Sequence, residues 1–383
     1  MRIVSVVGTR PQLIKAAALL PVLRSRHDEV FVDTGQHFDE AMAGAFFAEL
    51  GLPRPDHTLG VGGGSQADQV ARMLVGLEPI LVLEHPDAVL VYGDTNSTLA
   101  GALAAAKLGI SVAHVEAGLR SFDRRMPEEV NRVIADHLSR WLFAPTPTAV
   151  ANLRAEGISE GVTLVGDLMQ DLAARVATDV RDPGVLAEVG ARLASETGGL
   201  VLRPGRYLFA TIHRADNREP AALRAWVALL DAAASPDRPV ILALHPGTFD
   251  ALEREGVRPG PDVRTVEPTG YRSSIALQLY AAAVLTDSGG VQREAAWLRT
   301  PCLILRPTTE WVEAVEGSGG RTVVVGLDRE RAVAELARLA PIAHSEALAR
   351  RRADELDLRP GGAAEAIVAA LEAGTGAPPG DPP

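Results

Sequence analysis

Three carboxylates stand where proton transfer would want them. Asp94, in Gly93-Asp94-Thr95, follows the apolar run Ala88–Tyr92. Glu116, in His114-Val115-Glu116-Ala117-Gly118, follows Ser111–Val115. Glu128 opens Pro127-Glu128-Glu129-Val130-Asn131-Arg132, where it faces solvent or a cleft or simply favours a helix dipole. Two histidines, His213 and His245, each end an apolar run and suit a proton-transfer or phosphate-binding rim. There is no HExxH, so a structural metal is not expected. Two turns suit an anion. Gly8-Thr9-Arg10-Pro11 leads into a helix that carries Lys15. An anion beside Arg10 and Lys15 would offset the cost of cations at the positive end of that helix. Thr286-Asp287-Ser288-Gly289-Gly290 offers an N-capping serine and two glycines that let a phosphate reach backbone N–H groups. It is neither a Walker loop nor GxGxxG. Glu294, one turn on, can accept from a ribose diol. Gly62-Gly63-Gly64-Ser65 lacks a lysine and reads as a connection.

These residues need strands and helices to hold them. Short apolar runs alternate with helical periods along the chain. Strands are expected at Ile3–Val7, Val30–Asp33, Ala88–Tyr92, Ser111–Val115, Trp141–Ala144 and Val162–Val165. In the second half they are expected at Tyr207–Ile212, Val240–Leu244, Val263–Val266, Val284–Thr286, Cys302–Leu305 and Thr322–Val325. Such alternation implies parallel sheets covered on both faces. That is more strands than one open sheet holds comfortably, so two Rossmann-like α/β domains are expected. The boundary falls within 161–171: residues 1–165 form the first domain and 166–351 the second. Val130, Val133, Ile134, His137, Leu138 and Trp141 read as the apolar stripe of one helix, with Glu128 and Arg132 pointing away from it. The Pro/Gly tail, 373–383, reads as disordered.

Composition narrows the class. The chain of 383 residues is 47% apolar and 23% charged, which excludes disorder over most of its length. A formal charge of −11 with no basic stretch argues against nucleic acid or anionic membrane as a partner. One cysteine, Cys302, rules out an internal disulfide and a multi-cysteine metal site. No apolar run is long enough for a membrane helix or a signal-peptide core. A cytoplasmic location is expected.

Together the motifs resemble the non-hydrolysing UDP-N-acetylglucosamine 2-epimerases. The matching stretches are Gly8-Thr9-Arg10-Pro11 with Lys15, Gln36-His37, Gly93-Asp94-Thr95, HVEAGLRS (114–121), PEEVNR (127–132), His213-Arg214, TDSGGVQRE (286–294) and TEWVE (309–313). The resemblance implies a GT-B fold with the active site in the interdomain cleft, and a last helix, 352–372, that packs back on the first domain. It implies that Ser288, Gly289 and Gly290 hold the diphosphate and Glu294 the ribose, with Arg10, Lys15, Thr269 and His213 also facing the UDP group. Asp94, Glu116, Glu128 and His213 match the proton chemistry. A UDP-sugar substrate, no cofactor and a homodimer are implied as well.

Several positions depart from the common bacterial pattern. Arg293 stands where an acid or lysine is frequent, and Pro307 where Asp is frequent. Trp311-Val312 replaces an Arg-Pro pair, which leaves Arg306 as a substitute phosphate ligand. The TEWVE form resembles archaeal members and relatives that act on diacetamido-uronic acids. Around Gln36-His37-Phe38-Asp39 the match to the family's allosteric site is partial, and Ala215 follows His213-Arg214 where a second arginine is common. Three other readings share some of these features: a GT-B glycosyltransferase, a hydrolysing epimerase and a UDP-sugar sensor. The three acids argue against simple transfer.

Overall fold

A computed structural model describes residues 1–36, 47–343, 345–356, 358 and 360–374. His37, Phe38, Asp39 and the tail from 375 lie outside the described residues. The chain divides into two compact units, Met1–Leu172 with Pro360–Pro383, and Ala173–Arg359. The division falls at 172 rather than 165, and the returning segment begins at 360 rather than 352. The reason lies in two side chains. Arg352, on the helix Glu346–Asp354, donates to the carbonyl of Ala281 at 2.7 Å, which keeps that helix in the second unit. Asp171 accepts from the amides of Gly362 and Ala364 at 3.1 and 3.2 Å, which caps the helix Ala363–Ala373 within the first.

The first unit's described strands are β1 (Arg2–Val7), β2 (Asp28–Asp33), β3 (His57–Thr58), β4 (Ala88–Tyr92), β5 (Ser111–Val115), β6 (Trp141–Ala144) and β7 (Val162–Leu164). They form one parallel sheet in the order β3-β2-β1-β4-β5-β6-β7. In the second unit β8 (Leu208–Ile212), β9 (Val240–Leu244), β10 (Val263–Val266), β11 (Ala283–Thr286), β12 (Cys302–Ile304) and β13 (Thr322–Val324) form another, in the order β10-β9-β8-β11-β12-β13. Both are Rossmann-like orders, as the alternating pattern predicted. Every residue of β4, β8 and β9 is buried, the mark of a strand covered on both faces. Around the first sheet Val4, Val6, Val89, Val91, Met73 and Leu77 pack together, and around the second Ile212, Trp226, Leu230, Leu242 and Leu285 do. β3 was not foreseen: two residues are too short for a period-two pattern to register.

The strand order reverses between β1 and β4 in the first unit, and between β8 and β11 in the second. Open parallel sheets bind ligands outside the carboxyl ends of their strands at such a point. The candidate residues follow β1, β4 and β5 in one unit and β8 and β11 in the other.

One predicted helix face is wrong. On the helix Pro127–Leu138 the buried residues are Glu129, Asn131, Arg132, Ala135 and Asp136, while Val130 and Ile134 are exposed. Arg132 is therefore inside, not out. Its buried side is polar because it packs against the chain that carries the acids.

Candidate functional site

The first unit's rim is built from three strand ends. Gly8 follows β1 in a place no side chain could occupy: a Cβ there would lie 2.0 Å from Thr34 Oγ1 and 2.3 Å from Ser97 Oγ. Close approach, rather than turn geometry, is what Gly8 provides. Gln12, in the first turn of the helix Arg10–Arg24, accepts from the Gly8 amide at 2.8 Å and donates to the Tyr92 carbonyl at 2.7 Å. It thereby ties the end of β1 to the end of β4. Arg10 is half-buried at the start of this helix. Lys15, a turn and a half on, is 5% exposed, and its ammonium meets the Glu116 carboxylate.

Asp94 and Glu116 sit side by side at the ends of β4 and β5. Gly93, between β4 and Asp94, has φ +63°, and a Cβ on it would lie 3.2 Å from Lys15 Nζ and 3.3 Å from Glu116 Oε2. Glu116 itself has φ +73°, a conformation uncommon outside glycine and often found at functional sites. The Asp94 carboxylate pairs with Arg132, whose other nitrogen reaches Glu129 at 2.9 Å. Glu129 in turn accepts from the Ser121 and Phe122 amides at 2.9 Å each. Asn131 donates to the Asp94 carbonyl at 3.0 Å. Glu128 is exposed on the first turn of the helix and one turn from Arg132. Glu129, Asn131 and Arg132 were missed as site residues; their signal was the burial of that polar face, which periodicity does not carry.

The second unit's rim is a helix start. Ser288 caps the helix Gly289–Trp297, with Gly289 and Gly290 half-exposed beside it. The N–H groups and dipole of a helix start suit an anion. Asp287, fully buried, accepts from the amides of His213 at 3.0 Å and Arg214 at 3.0 Å, and from Asn217 Nδ2 at 2.7 Å. It fixes the loop that carries His213 against the anion site. His213 is half-buried, its ring edge-to-face with His245 at 6.1 Å. The His245 Nδ1 accepts from the Gly247 amide at 3.1 Å, so that ring is a helix cap. Glu294 is buried and accepts from Gln278 Nε2 at 2.6 Å. Thr269 is half-buried after β10. Arg306 is 7% exposed and ion-paired with Glu310 at 2.9 Å. Glu310 was not singled out, yet one of its oxygens would lie 2.9 Å from a Cβ on Gly289.

What this arrangement can do is take an anion at one rim and move protons at the other. The family model for UDP-N-acetylglucosamine 2-epimerase matches residues 23–372. The chain belongs to the UDP-N-acetylglucosamine 2-epimerase family. It is 39% identical to a UDP-N-acetylglucosamine 2-epimerase of Methanocaldococcus jannaschii over 87% of this chain and 90% of the relative. It is 43% identical to a UDP-2,3-diacetamido-2,3-dideoxy-D-glucuronate 2-epimerase of Pseudomonas aeruginosa over 87% of this chain and 90% of the relative. Among solved structures of the epimerase family, that of M. jannaschii UDP-GlcNAc 2-epimerase in complex with UDP-GlcNAc and UDP matches with a TM-score of 0.83. It is 36% identical and covers 97% of this chain and all of that one. The two-unit α/β architecture is the GT-B-like fold of this epimerase family. No helix among the described residues is long and apolar enough to cross a membrane.

Proposed function

We propose that this protein interconverts UDP-N-acetylglucosamine and UDP-N-acetylmannosamine. The observation that carries the reading is the pair of carboxylates, Asp94 and Glu116, that end adjacent strands of a unit in a chain of this family. Carbon 2 of the sugar has no neighbouring carbonyl, so its proton is not acidic. Breaking the anomeric C–O bond gives carbon 1 oxocarbenium character and acidifies the carbon 2 proton. A carboxylate takes that proton as UDP leaves with the bonding pair, which yields a 2-acetamidoglucal. UDP oxygen then re-forms the bond to carbon 1 while a proton reaches carbon 2 from the opposite face. Acid–base groups are needed on both faces, and Asp94, Glu116, Glu128 and His213 are assigned to them. Ser288, Gly289 and Gly290 take the departing diphosphate on backbone N–H groups, with Arg10, Lys15 and Arg306 as cations and Thr269 as a neutral contact. Glu294 holds the ribose, oriented by Gln278. The reaction is assigned to the cytoplasm.

Proton NMR with UDP-N-acetylglucosamine in D2O tests this. A new UDP-N-acetylmannosamine anomeric signal with deuterium at carbon 2 is expected. Free N-acetylmannosamine would point to hydrolysis instead, and no turnover would overturn the proposed substrate. One second reading has its own support: Trp311-Val312 and 43% identity to the P. aeruginosa relative favour a diacetamido-uronate substrate. The same assay with that UDP-sugar separates the two.

The protein is further proposed to be a homodimer. Val75, Val82 and Leu83 on the helix Gln66–Glu84, and Val130 and Ile134 on the helix Pro127–Leu138, are exposed. Both helices pack against the helix Asn96–Lys107, so the apolar residues belong to one side of the first unit. Light scattering on the wild type and on a Val82→Glu, Ile134→Glu variant should give a dimer and a monomer. A monomeric wild type would remove the proposal.

A further inference from the structure

One buried cluster of charge has no part in the chemistry above. His114, in β5, is fully buried. Its Nε2 lies 2.7 Å from the carbonyl oxygen of Gly93, and its Nδ1 lies 2.7 Å from Oδ1 of Asp136. Asp136, also buried, comes from the helix Pro127–Leu138. Its second oxygen accepts from the Gly118 amide at 3.1 Å and pairs with Arg120 at 2.7 Å. Arg120 then reaches Glu156 at 2.6 Å.

The hydrogen bonds fix the roles. A carbonyl oxygen only accepts, so Nε2 donates. Asp136 already takes two donors on one oxygen. Burial pushes its carboxyl up, but His114 and Arg120 outweigh that and hold it below the usual carboxylate range. Its other oxygen is engaged by Nδ1. With Nε2 held by a carbonyl and Nδ1 by a carboxylate, neither ring nitrogen is open to act as a base toward substrate. Being fully buried, the ring has no route to substrate either. His114 is thus no member of a catalytic dyad.

The groups it grips bracket the acids. Gly93 immediately precedes Asp94, and Gly118 follows Glu116 by two positions. The Gly93 amide donates to the Val115 carbonyl at 2.9 Å, and the Glu116 amide to Phe143 at 3.1 Å. Glu116 has left-handed backbone, which outside glycine persists only where the surroundings over-determine it. We propose that His114 and Asp136 are positioning residues, a buried hydrogen-bonded pair that clamps the Gly93 and Gly118 peptides and so fixes the Asp94 and Glu116 carboxylates. The proposal rests on the epimerase reading for its kinetic consequence, but not for its geometry.

Two measurements test it. In nitrogen-15 spectra of histidine-labelled full-length protein, the signals lost in His114→Gln identify the ring. Nε2 should carry a proton held by the Gly93 carbonyl; a ring with Nε2 unprotonated overturns the proposal whatever the substrate. Steady-state epimerisation is then compared across variants. His114→Ala should lower kcat about 100-fold, the scale of an ångström of misplacement, with KM within about threefold of wild type. His114→Gln keeps an N–H for the Gly93 carbonyl and should recover about tenfold of that loss. Adding Asp136→Asn to His114→Ala should cost little more, because the pair acts as one unit. A kcat within twofold of wild type in His114→Ala overturns the proposal. So does a loss equal in Ala and Gln, or one that only follows lost hydrogen-exchange protection of β4 amides. If His114→Ala does not fold, Asp136→Asn is held to the same kinetic limits. A wild type that turns over no UDP-N-acetylglucosamine fails the epimerase reading instead, and the ring spectrum alone then decides the clamp.

Discussion

Gly93→Ala separates the rim from the fold. The native φ of +63° is open to glycine and costs an L-residue roughly 1–2 kcal/mol. The added methyl would lie 3.2 Å from Lys15 Nζ and 3.3 Å from Glu116 Oε2. Both neighbours are side-chain ends rather than backbone, so they give way by a few tenths of an ångström instead of unfolding the unit. The methyl pushes on the two charges whose positions matter. If an ångström of misplacement costs about 100-fold, a few tenths should cost about tenfold in kcat. Thermal unfolding should move down by only a few degrees, at about 2–4 °C per kcal/mol for a unit of this size. UDP affinity should fall less than kcat, since Lys15 is the one proposed diphosphate contact that the methyl meets, while Ser288, Gly289 and Gly290 lie in the other unit. NMR epimerisation rates, calorimetric unfolding and titration with UDP read the three quantities separately. Wild-type kcat in a folded Gly93→Ala protein would refute the reasoning, because Glu116 would then tolerate displacement. Gly118→Ala is the control: its Cβ would lie 2.4 Å from the Ala149 carbonyl oxygen, which is backbone and cannot yield, so stability should fall sharply.

Glu116→Gln should nearly abolish turnover while UDP binding, read by calorimetry, survives; wild-type turnover would remove Glu116 from the proton chemistry. Ser288→Ala removes the cap of the helix Gly289–Trp297, so it should cost about 1 kcal/mol and weaken UDP binding; unchanged affinity would count against the phosphate assignment. Asp136 and Glu156 both have carboxyl groups held below their ordinary range, Glu156 chiefly by its hydrogen bond from Arg120. Groups depressed in the folded state add stability above their unfolded pKa of about 4, and that stability is lost as pH falls through the folded value. The acid limb of stability against pH should therefore flatten in Asp136→Asn, by thermal unfolding between about pH 5 and 3. Cys302 is fully buried, with its thiol pushed up to about 12 by burial, so a thiol reagent at pH 8 should react only after denaturant is added.

The sheets were legible because their signal is local and redundant. β4, β6 and β9 begin and end where the apolar runs do, since a strand buried on both faces needs apolar residues throughout. Asp94 and Glu116 were legible for the same reason: whatever follows such a run stands at the sheet's carboxyl rim. The helix Pro127–Leu138 was not. Val130 and Ile134 point outward and Arg132 and Asp136 inward, because the two charged residues have partners on other segments that no spacing records. Gln12 and Asp287 were invisible likewise. A buried amide or carboxylate that satisfies backbone groups of a neighbouring strand looks, in sequence, like any polar residue near a turn.

The departures from the bacterial pattern change meaning once they have positions. Arg293 and Trp311 read in sequence as two separate replacements, one at a helix position that is often acidic or lysine, the other removing an arginine from the loop after β12. In the structure the Arg293 guanidinium lies 3.6 Å from the centre of the Trp311 ring, and both residues are almost fully buried. A guanidinium over an indole face that water does not reach is worth about 2 kcal/mol. Each residue thus accounts for the other: a tryptophan at 311 gives a cation at 293 a surface to lie on, and an acid at 293 would meet the negative face of that ring. Trp311 Nε1 also comes within 3.3 Å of a Cβ placed on Gly289, so the stack abuts the helix start assigned to the diphosphate. The positive charge absent from position 311 stands instead on the helix, at Arg293, beside the one Arg306 supplies.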